Sequence, residues 1–190
     1  MPYFCHTIKI DMAEEKVVLV NEQGEQIGLM GKQEAHEKGL LHKAISIIIY
    51  NSNGDMLLQQ RALSKYHWAG IWSNTCCSHP RDNESYADAA SRRLMEECGF
   101  NTELTEEFNF IYKAKDEASG LTEHEFDTVF TGIFDGDFTF NTDEIEAVRW
   151  MPVEELLVDI KTNPDTYSFW FKIILEELQK RNQLHYRVSI

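Results

Sequence analysis

The chain has 190 residues, of which 43% are hydrophobic, and this is enough for a packed core, so intrinsic disorder is not the expected state. The formal net charge of -14 at pH 7 excludes proteins that bind nucleic acid or anionic membranes through a positive surface. An anionic ligand would therefore have to be held by metal ions and a few local cations.

The first half of the chain carries strand and turn signals around one short helix. Gly31 and Gly39 bracket a polar helical stretch, and Asn51–Asp55 is a turn between two strongly apolar runs. In chain order we predict strands at Val17–Val20 and Gln26–Met30, a helix at Lys32–Lys38, strands at Ile45–Tyr50 and Met56–Gln60, and a polar loop at Arg61–Gly70.

The second half begins with the clearest helix. Apolar residues recur there at helical spacing, namely Ala87, Ala90, Leu94 and Met95. Gly99 stands where a C-cap glycine belongs. In chain order we predict a helix at Ser85–Cys98, strands at Phe108–Lys115, Glu123–Phe134 and Ala147–Met151, and helices at Pro152–Ile160 and Tyr167–Asn182, with Pro152 in a first helical turn. Because no repeat or linker divides the chain, we expect one domain over residues 1–190.

The four cysteines show no disulfide pattern, since Cys76 and Cys77 are adjacent while Cys5 and Cys98 stand alone. The segment Met1–Asp11 lacks a long apolar core and a small-residue cleavage site, and no run approaches the roughly 20 apolar residues of a membrane span. We expect a cytoplasmic protein without nucleic-acid or membrane partners, present as a monomer or weak dimer.

The segment Thr75–Pro80 combines a thiol, an imidazole and a turn-forming proline, with Cys77 two residues before His79. Cysteine can donate a proton or act as a nucleophile, and histidine can act as a base or a metal ligand. We interpret this segment as the rim of an active site.

An acidic motif starts at the end of this segment. Ser78, five further residues, Glu84, seven further residues and then Arg92–Phe100 resemble the Nudix box, G-x5-E-x7-R-E-U-x-E-E-x-G-U, over residues 78–100. Ser78 replaces the first glycine and Arg93 the glutamate after arginine. Charge patterning alone would favour an amphipathic helix with a solvated acidic face, but a match over the full motif with two substitutions outweighs it. In Nudix enzymes this helix carries glutamates that bind divalent cations, oxygen-ligand chemistry suited to Mg²⁺.

A pair of carboxylates lies in the predicted strand at Glu123–Phe134. Strand alternation points Glu123 and Glu125 to one face and His124 to the other. Parallel carboxylates repel each other unless a cation or a shared proton lies between them. A solvent-facing acidic strand is the alternative interpretation.

Two histidines, His36 and His42, flank Gly39. Their separation does not place them on one face of a regular helix, so they can converge only through a bend at the glycine. Taken alone, this pair is more typical of surface histidines.

Together these features resemble the type I isopentenyl diphosphate isomerases, a metal-dependent branch of the Nudix fold. The residues that carry the resemblance are Lys32, Ala35-His36, Leu41–Ala44, Gln60–Lys65, Trp72–Pro80, Tyr112, Glu123–Glu125 and Trp170–Lys172. The resemblance implies an α/β (α+β) fold with a Nudix-type mixed β-sheet sandwiched between helices. It also implies interconversion of isopentenyl and dimethylallyl diphosphate, small-molecule substrates in isoprenoid biosynthesis.

The resemblance further implies metal and substrate sites. One divalent ion, Mn²⁺, Mg²⁺, Fe²⁺ or Zn²⁺, is expected on His36, His42, His79, Glu123 and Glu125. A second ion, Mg²⁺, is expected at Glu97 with a main-chain carbonyl near Cys77, where it would bridge to the diphosphate. The family's diphosphate-binding cations correspond to Lys32, Arg61, Lys65 and Arg93. On this interpretation Arg93 binds the diphosphate and stands where the motif has a catalytic glutamate.

The implied reaction moves a double bond from the 3,4 to the 2,3 position through a tertiary carbocation, so acid/base groups must flank the carbon skeleton. The resemblance assigns Cys77 to one side and Glu125, assisted by Tyr112, to the other; which group protonates first stays open. Cys77 is assigned because it lies two residues before His79, as in the family motif, and strand alternation sends Cys76 to the opposite face, where it packs.

An aromatic ring can stabilise the cation, because its quadrupole attracts positive charge. The matching residue is Trp170, and Trp72 is a second candidate, whereas core packing is expected for Trp68 and Trp150. Where some relatives carry proline immediately before the last tryptophan, this chain has Phe169, which leaves the shape of the lid over the substrate open.

Two other functions explain less of the sequence. A Nudix hydrolase of nucleoside diphosphate derivatives would account for Glu96 and Glu97, but not for the histidines, Cys77 or the Glu123 and Glu125 pair. A Cys/His metal-binding module fails because the chain has no paired C-x2-C or H-x3-H spacing.

Overall fold

The structure is a computed structural model that describes residues 15–65, 67–117 and 119–185; the segment Met1–Asp11, including Cys5, lies outside these ranges. The strands are β1 (Lys16–Val20), β2 (Gln26–Gly31), β3 (His42–Tyr50), β4 (Asp55–Arg61), β5 (Trp72–Ser73), β6 (Cys76–Ser78), β7 (Leu104–Lys115), β8 (Thr122–Ile133) and β9 (Ile145–Pro152). The helices are α1 (Lys32–Lys38), α2 (Tyr86–Cys98), α3 (Val153–Thr162) and α4 (Phe169–Lys180), with a 3-10 turn at Pro164–Thr166.

Strand β3 is the centre of a mixed sheet. It pairs antiparallel with β1, β4 and β6, and it pairs in parallel with β8 along its whole length, from His42 opposite Glu125 to Tyr50 opposite Ile133. A strand that is paired on both edges and covered on both faces has a continuous apolar sequence. This explains the uninterrupted hydrophobic sequence that predicted it.

Two hydrophobic clusters cover the two faces of the sheet. Alternate residues of β3 divide between them: Ile45, Ile47 and Ile49 pack with α2, while Ile48 and Tyr50 pack with α3 and α4. The expected mixed sheet between helices is confirmed. No helix within the described residues combines the length and apolar character needed to cross a membrane.

The caps of α2 follow from the sequence. The Ser85 side chain accepts a hydrogen bond from the Asp88 N–H, so Ser85 is the N-cap and not the first helical residue. At the other end Gly99 adopts the left-handed conformation with φ 72°, and its N–H donates to the Met95 carbonyl. These caps limit the helix to Tyr86–Cys98.

Several predicted boundaries are wrong. The short strand β5 was not expected, because two residues are too few to show alternation. Pro152 ends β9 and caps α3 and does not lie in its first turn. Helix α4 is two residues shorter than predicted at each end, since Tyr167 pairs with Trp72 and Ser168 donates its N–H to the Trp72 carbonyl at 2.8 Å.

Two glycines with positive φ provide a test of packing at the end of α2. A Cβ added at Gly99 would lie 2.1 Å from the Thr139 carbonyl oxygen, whereas at Gly120 (φ 77°) it would meet nothing within 4 Å. We expect Gly120→Ala to lower the free energy of unfolding by about 1 kcal/mol through backbone strain alone, and Gly99→Ala by about 1–3 kcal/mol more because its methyl group clashes. Urea unfolding measures both, and equal losses would contradict this packing.

Candidate active site

Strand register brings the predicted acid/base and metal residues together. His42 on β3 lies opposite Glu125 on β8, and Glu125 lies opposite Tyr112 on β7. On the other edge of β3, Ser46 lies opposite Cys77 of β6. Residues far apart in the chain therefore meet on four neighbouring strands.

The bend between α1 and β3 places the two flanking histidines together. Gly39 is left-handed with φ 60°, and its N–H donates to the His36 carbonyl at 3.3 Å. The rings of His36 and His42 consequently lie 4.9 Å apart, centroid to centroid. The bend that the sequence required is present.

Four side chains converge on one point. The ligand atoms of His36, His42, His79 and Glu125 all lie within 4.8 Å of one another. His42 Nε2 is 3.2 Å from His79 Nε2, which in turn is 3.2 Å from Glu125 Oε1. Ligand atoms held about 2 Å from one ion lie within about 4 Å of each other. These four side chains would therefore need to move only slightly closer together to bind one ion.

Backbone carbonyls hold the Nδ1 atoms of two of these histidines. His42 Nδ1 donates to the Leu40 carbonyl at 2.8 Å, and His36 Nδ1 donates to the Lys32 carbonyl at 2.6 Å, which leaves both Nε2 atoms to face the centre. Burial, together with repulsion from His79, lowers the pKa of His42 to about 3, so its Nε2 carries a lone pair at neutral pH. A backbone carbonyl behind each imidazole is the usual support of a metal-bound histidine.

Glu123 lies beside this cluster and bridges two imidazoles. Its Oε2 is 2.8 Å from His36 Nε2, and its Oε1 is 2.9 Å from His67 Nε2. Burial opposes ionisation of Glu123, but the hydrogen bonds from both histidines outweigh it and hold its pKa well below the usual value. His67 was not predicted as a site residue, because nothing in the sequence links a loop histidine to a strand 56 residues away.

The acid/base candidates differ in environment. Burial, reinforced by the Glu123 charge, raises the pKa of Glu125 to about 8, and the Tyr112 hydroxyl donates to its Oε2 at 2.6 Å. Burial, reinforced by the Asp127 charge, raises the pKa of Cys77 to about 12, so the thiol keeps its proton at neutral pH. Both groups can therefore hold a proton above a substrate.

Cys77 is oriented by two neighbours that the sequence did not reveal. Its Sγ lies 3.0 Å from Asn74 Oδ1, to which it donates, and 3.5 Å from the Ser46 hydroxyl. Cys76 points to the opposite face, is fully buried and packs in the cluster beneath α2. The alternation predicted for the two cysteines is present.

The predicted diphosphate cations gather at the same cavity, and three of them pair with carboxylates. Lys32 donates to Glu15 at 3.0 Å, Lys65 pairs with Glu144, and Arg93 donates to Glu97 at 2.5 Å. Burial raises the pKa of Glu97 although Arg93 opposes the shift.

Arg61 instead reaches the loop above the cavity. Its Nε donates to the Trp68 carbonyl at 3.2 Å, and its guanidinium lies 5.6 Å from the centre of the Trp170 ring.

The tryptophans occupy different surroundings. Trp170 lines the cavity, and the ring of Trp68 stands edge-on to the ring of Trp170 at 5.7 Å, centroid to centroid. Trp68 is partly buried and packs against the core cluster beneath α3 and α4, as expected. Trp72 lies under Arg149 at 4.2 Å and borders a separate groove, which removes it as a candidate for the cation-stabilising ring. Trp150 packs against the cluster beneath α2, as expected.

A cavity of about 340 Å³ collects these groups. The predicted site residues that line it are Lys32, His36, Arg61, Lys65, Cys77, His79, Arg93, Glu97, Tyr112, Glu123, Glu125 and Trp170. His42 is fully buried behind them and reaches the site through its contact with His79.

An ion pair between Arg92 and Glu84 stabilises the acidic motif of residues 78–100. Both oxygens of Glu84 accept hydrogen bonds from Arg92, at 2.7 and 2.8 Å, and Glu84 also accepts from the Arg81 N–H. This bidentate pair ties the start of the motif to α2 and so positions Glu97 beneath the cavity.

The fold and motif define a class of protein. The sequence matches the NUDIX domain family over residues 40–171. DR0079 from Deinococcus radiodurans superposes with a TM-score of 0.70 at 20% identity over 87% of this chain and 98% of its own. A MutT protein from Methanosarcina mazei superposes with a TM-score of 0.60 at 20% identity over 75% of this chain and 96% of its own. At that identity the likeness shows the fold alone.

Sequence relatives narrow the class further. The chain is 50% identical to isopentenyl-diphosphate Delta-isomerase 2 of Aromatoleum aromaticum over 87% of each chain. It is 47% identical to isopentenyl-diphosphate Delta-isomerase of Aliivibrio fischeri over 88% of this chain and 99% of the relative. The chain belongs to the isopentenyl-diphosphate Delta-isomerase family of NUDIX proteins. The family and the His/Glu cluster indicate that it binds divalent metal.

We expect divalent metal to stabilise the folded protein through this cluster. After treatment with a chelator, Mn²⁺ at about one hundred times its dissociation constant should add about 2.7 kcal/mol of stability, or roughly 5–10 °C in Tm. His79→Ala should lose most of this shift, and His185→Ala, whose ring stacks on Tyr50 at the far end of β3, should keep it. Equal Tm shifts in the two variants, measured by calorimetry, would contradict the assignment.

Proposed function

We propose that this chain interconverts isopentenyl diphosphate and dimethylallyl diphosphate by adding a proton to C4 and removing one from C2. The observation that carries the proposal is the pair of protonatable groups in one cavity. Cys77 enters from β6 and Glu125 from β8, which lie on opposite edges of β3, and both line the cavity. Two acid/base groups on either side of a small cavity suit the transfer of a proton on and off a carbon skeleton.

The residues around the skeleton support a cationic path. Proton addition to C4 leaves a tertiary carbocation at C3, and Trp170, whose ring could stabilise that charge, lines the cavity. Tyr112 donates to Glu125 at 2.6 Å and fixes the carboxyl group for proton transfer. Loss of the C2 proton to the group on the other side completes the reaction. Either Cys77 or Glu125 can act first in this scheme.

In this proposal the diphosphate is bound by the four cations that line the cavity, Lys32, Arg61, Lys65 and Arg93. We propose Mg²⁺ at Glu97 with a main-chain carbonyl near Cys77, and Mn²⁺, Mg²⁺ or Zn²⁺ on the three histidines with Glu123 and Glu125. When bound, these ions would neutralise the diphosphate and would lower the proton affinity of the Glu125 carboxylate. The chain's own part is to orient both ends of the substrate.

We also propose that residues 1–190 form one domain, that the enzyme acts in the cytoplasm as a monomer or weak dimer, and that it binds a small-molecule substrate and has no nucleic-acid or membrane partner. The free thiols of Cys76, Cys77 and Cys98 support a reducing compartment. Size-exclusion chromatography with light scattering tests the oligomeric state.

Isomerisation in deuterated water tests the function directly. With isopentenyl diphosphate and Mg²⁺, the purified protein should place deuterium in a dimethylallyl product and release no phosphate, as followed by NMR. Phosphate release without an alkene shift would instead identify a hydrolase and overturn the proposal.

The two adjacent cysteines provide a matched pair of variants. Cys77→Ser should lower kcat by at least about 10²-fold, because a hydroxyl is a far weaker acid and base partner than a thiol. Cys76→Ser should keep most of the activity, since its side chain packs beneath α2. Steady-state kinetics on both variants checks this, and the reverse order of activities would refute the assignment of Cys77.

A further inference from the structure

His67 has no role in the reaction described above, yet its position is specific. It lies in the loop between β4 and β5, its side chain is buried, and its Nε2 is 2.9 Å from Glu123 Oε1. The other oxygen of the same carboxylate is 2.8 Å from His36 Nε2. Each oxygen of Glu123 therefore has its own imidazole.

The two imidazoles differ in what they offer. A carboxylate only accepts hydrogen bonds, so His67 Nε2 carries the proton of this contact. His36 belongs to the group of ligand atoms that converge within 4.8 Å, and His67 does not. His67 thus contacts Oε1 of Glu123, while Oε2 of Glu123 faces His36, one of the converging ligand residues.

The loop that carries His67 is held in place from several sides. Arg61 Nη2 donates to the His67 carbonyl at 3.4 Å, and Arg61 Nε donates to the Trp68 carbonyl at 3.2 Å. The Gln60 side-chain amide donates to the Gly70 carbonyl at 2.8 Å. Trp68 adopts a left-handed backbone with φ 54°, a conformation that non-glycine residues keep only where surrounding contacts impose it. These contacts fix where the His67 imidazole points.

We propose that His67 is a positioning residue that orients Glu123 toward the divalent metal. The inference rests on the metal site of the proposed function and adds to it a support that the family resemblance did not supply. Hydrogen bonds to the far side of a ligating group typically change metal affinity 10–100-fold. Through Arg61, the same loop also connects this carboxylate to a cation expected to bind the diphosphate.

Two substitutions at position 67 separate a donor from other roles. His67→Leu removes the N–H, whereas His67→Gln keeps an N–H donor at similar reach. In chelator-treated protein we expect the Mn²⁺ dissociation constant, measured by titration calorimetry or electron paramagnetic resonance, to rise about 10–100-fold for His67→Leu, and to stay near the wild-type value for His67→Gln. Isomerase activity should return in His67→Leu at saturating Mn²⁺, with kcat close to wild type.

Other outcomes would overturn the proposal. Equal weakening in both variants would indicate a direct ligand or a purely structural residue, and no weakening in either would show that the contact does not matter. Because metal affinity is measured without substrate, these results stand even if the protein fails to isomerise isopentenyl diphosphate.

A measurement on the unaltered protein covers the case in which His67→Leu does not fold. In histidine-labelled protein loaded with Mg²⁺, the nitrogen chemical shifts of His67 should show a proton on Nε2. An Nε2 without a proton, or one shifted by metal contact, would refute the donor role.

Discussion

The pairing of β3 on both of its edges is the constraint on which the site depends. Its parallel register with β8 sets His42 beside Glu125, and its antiparallel register with β6 sets Ser46 beside Cys77. A slip of one residue on either side would turn every side chain of that strand to the other face. The buried alternation of β3 against two separate hydrophobic clusters prevents this slip, so core packing determines the geometry of the acid/base pair.

Positive and negative side chains lie close together in the cavity. The chain carries a net charge of -14, yet four cations line the cavity, and Lys32, Lys65 and Arg93 each contact a carboxylate there. Glu144 contacts both Lys65 and Arg93, so these side chains form one network and not isolated pairs. A diphosphate with its metal ion would compete for the same cations. On the proposed function, binding of the diphosphate would therefore exchange partners among charges that are already in place.

The acidic motif of residues 78–100 combines a structural ion pair with a substituted residue. Glu84 and Arg92 keep the structural part of the acidic motif through a bidentate ion pair. Arg93, which replaces a glutamate of the motif, contacts Glu97 and points into the cavity. In the proposed function the fold supplies the helix under the ligand, while Cys77 and the histidine cluster would set the reaction class. This is why structural likeness at 20% identity identifies the fold and not the activity.

Local patterns in the sequence were sufficient for the long strands, for helix α2 with its Gly99 cap, and for the opposite faces of Cys76 and Cys77, because periodicity and cap chemistry act within a few residues. Most of the candidate site residues followed from the family resemblance, and the structure brings them to one cavity. Two contacts could not be predicted from the sequence, because each joins distant segments: His67 with Glu123, and Ser46 with Cys77. Such contacts exist only after the strands are in register and the core is packed, so folding in three dimensions decided them.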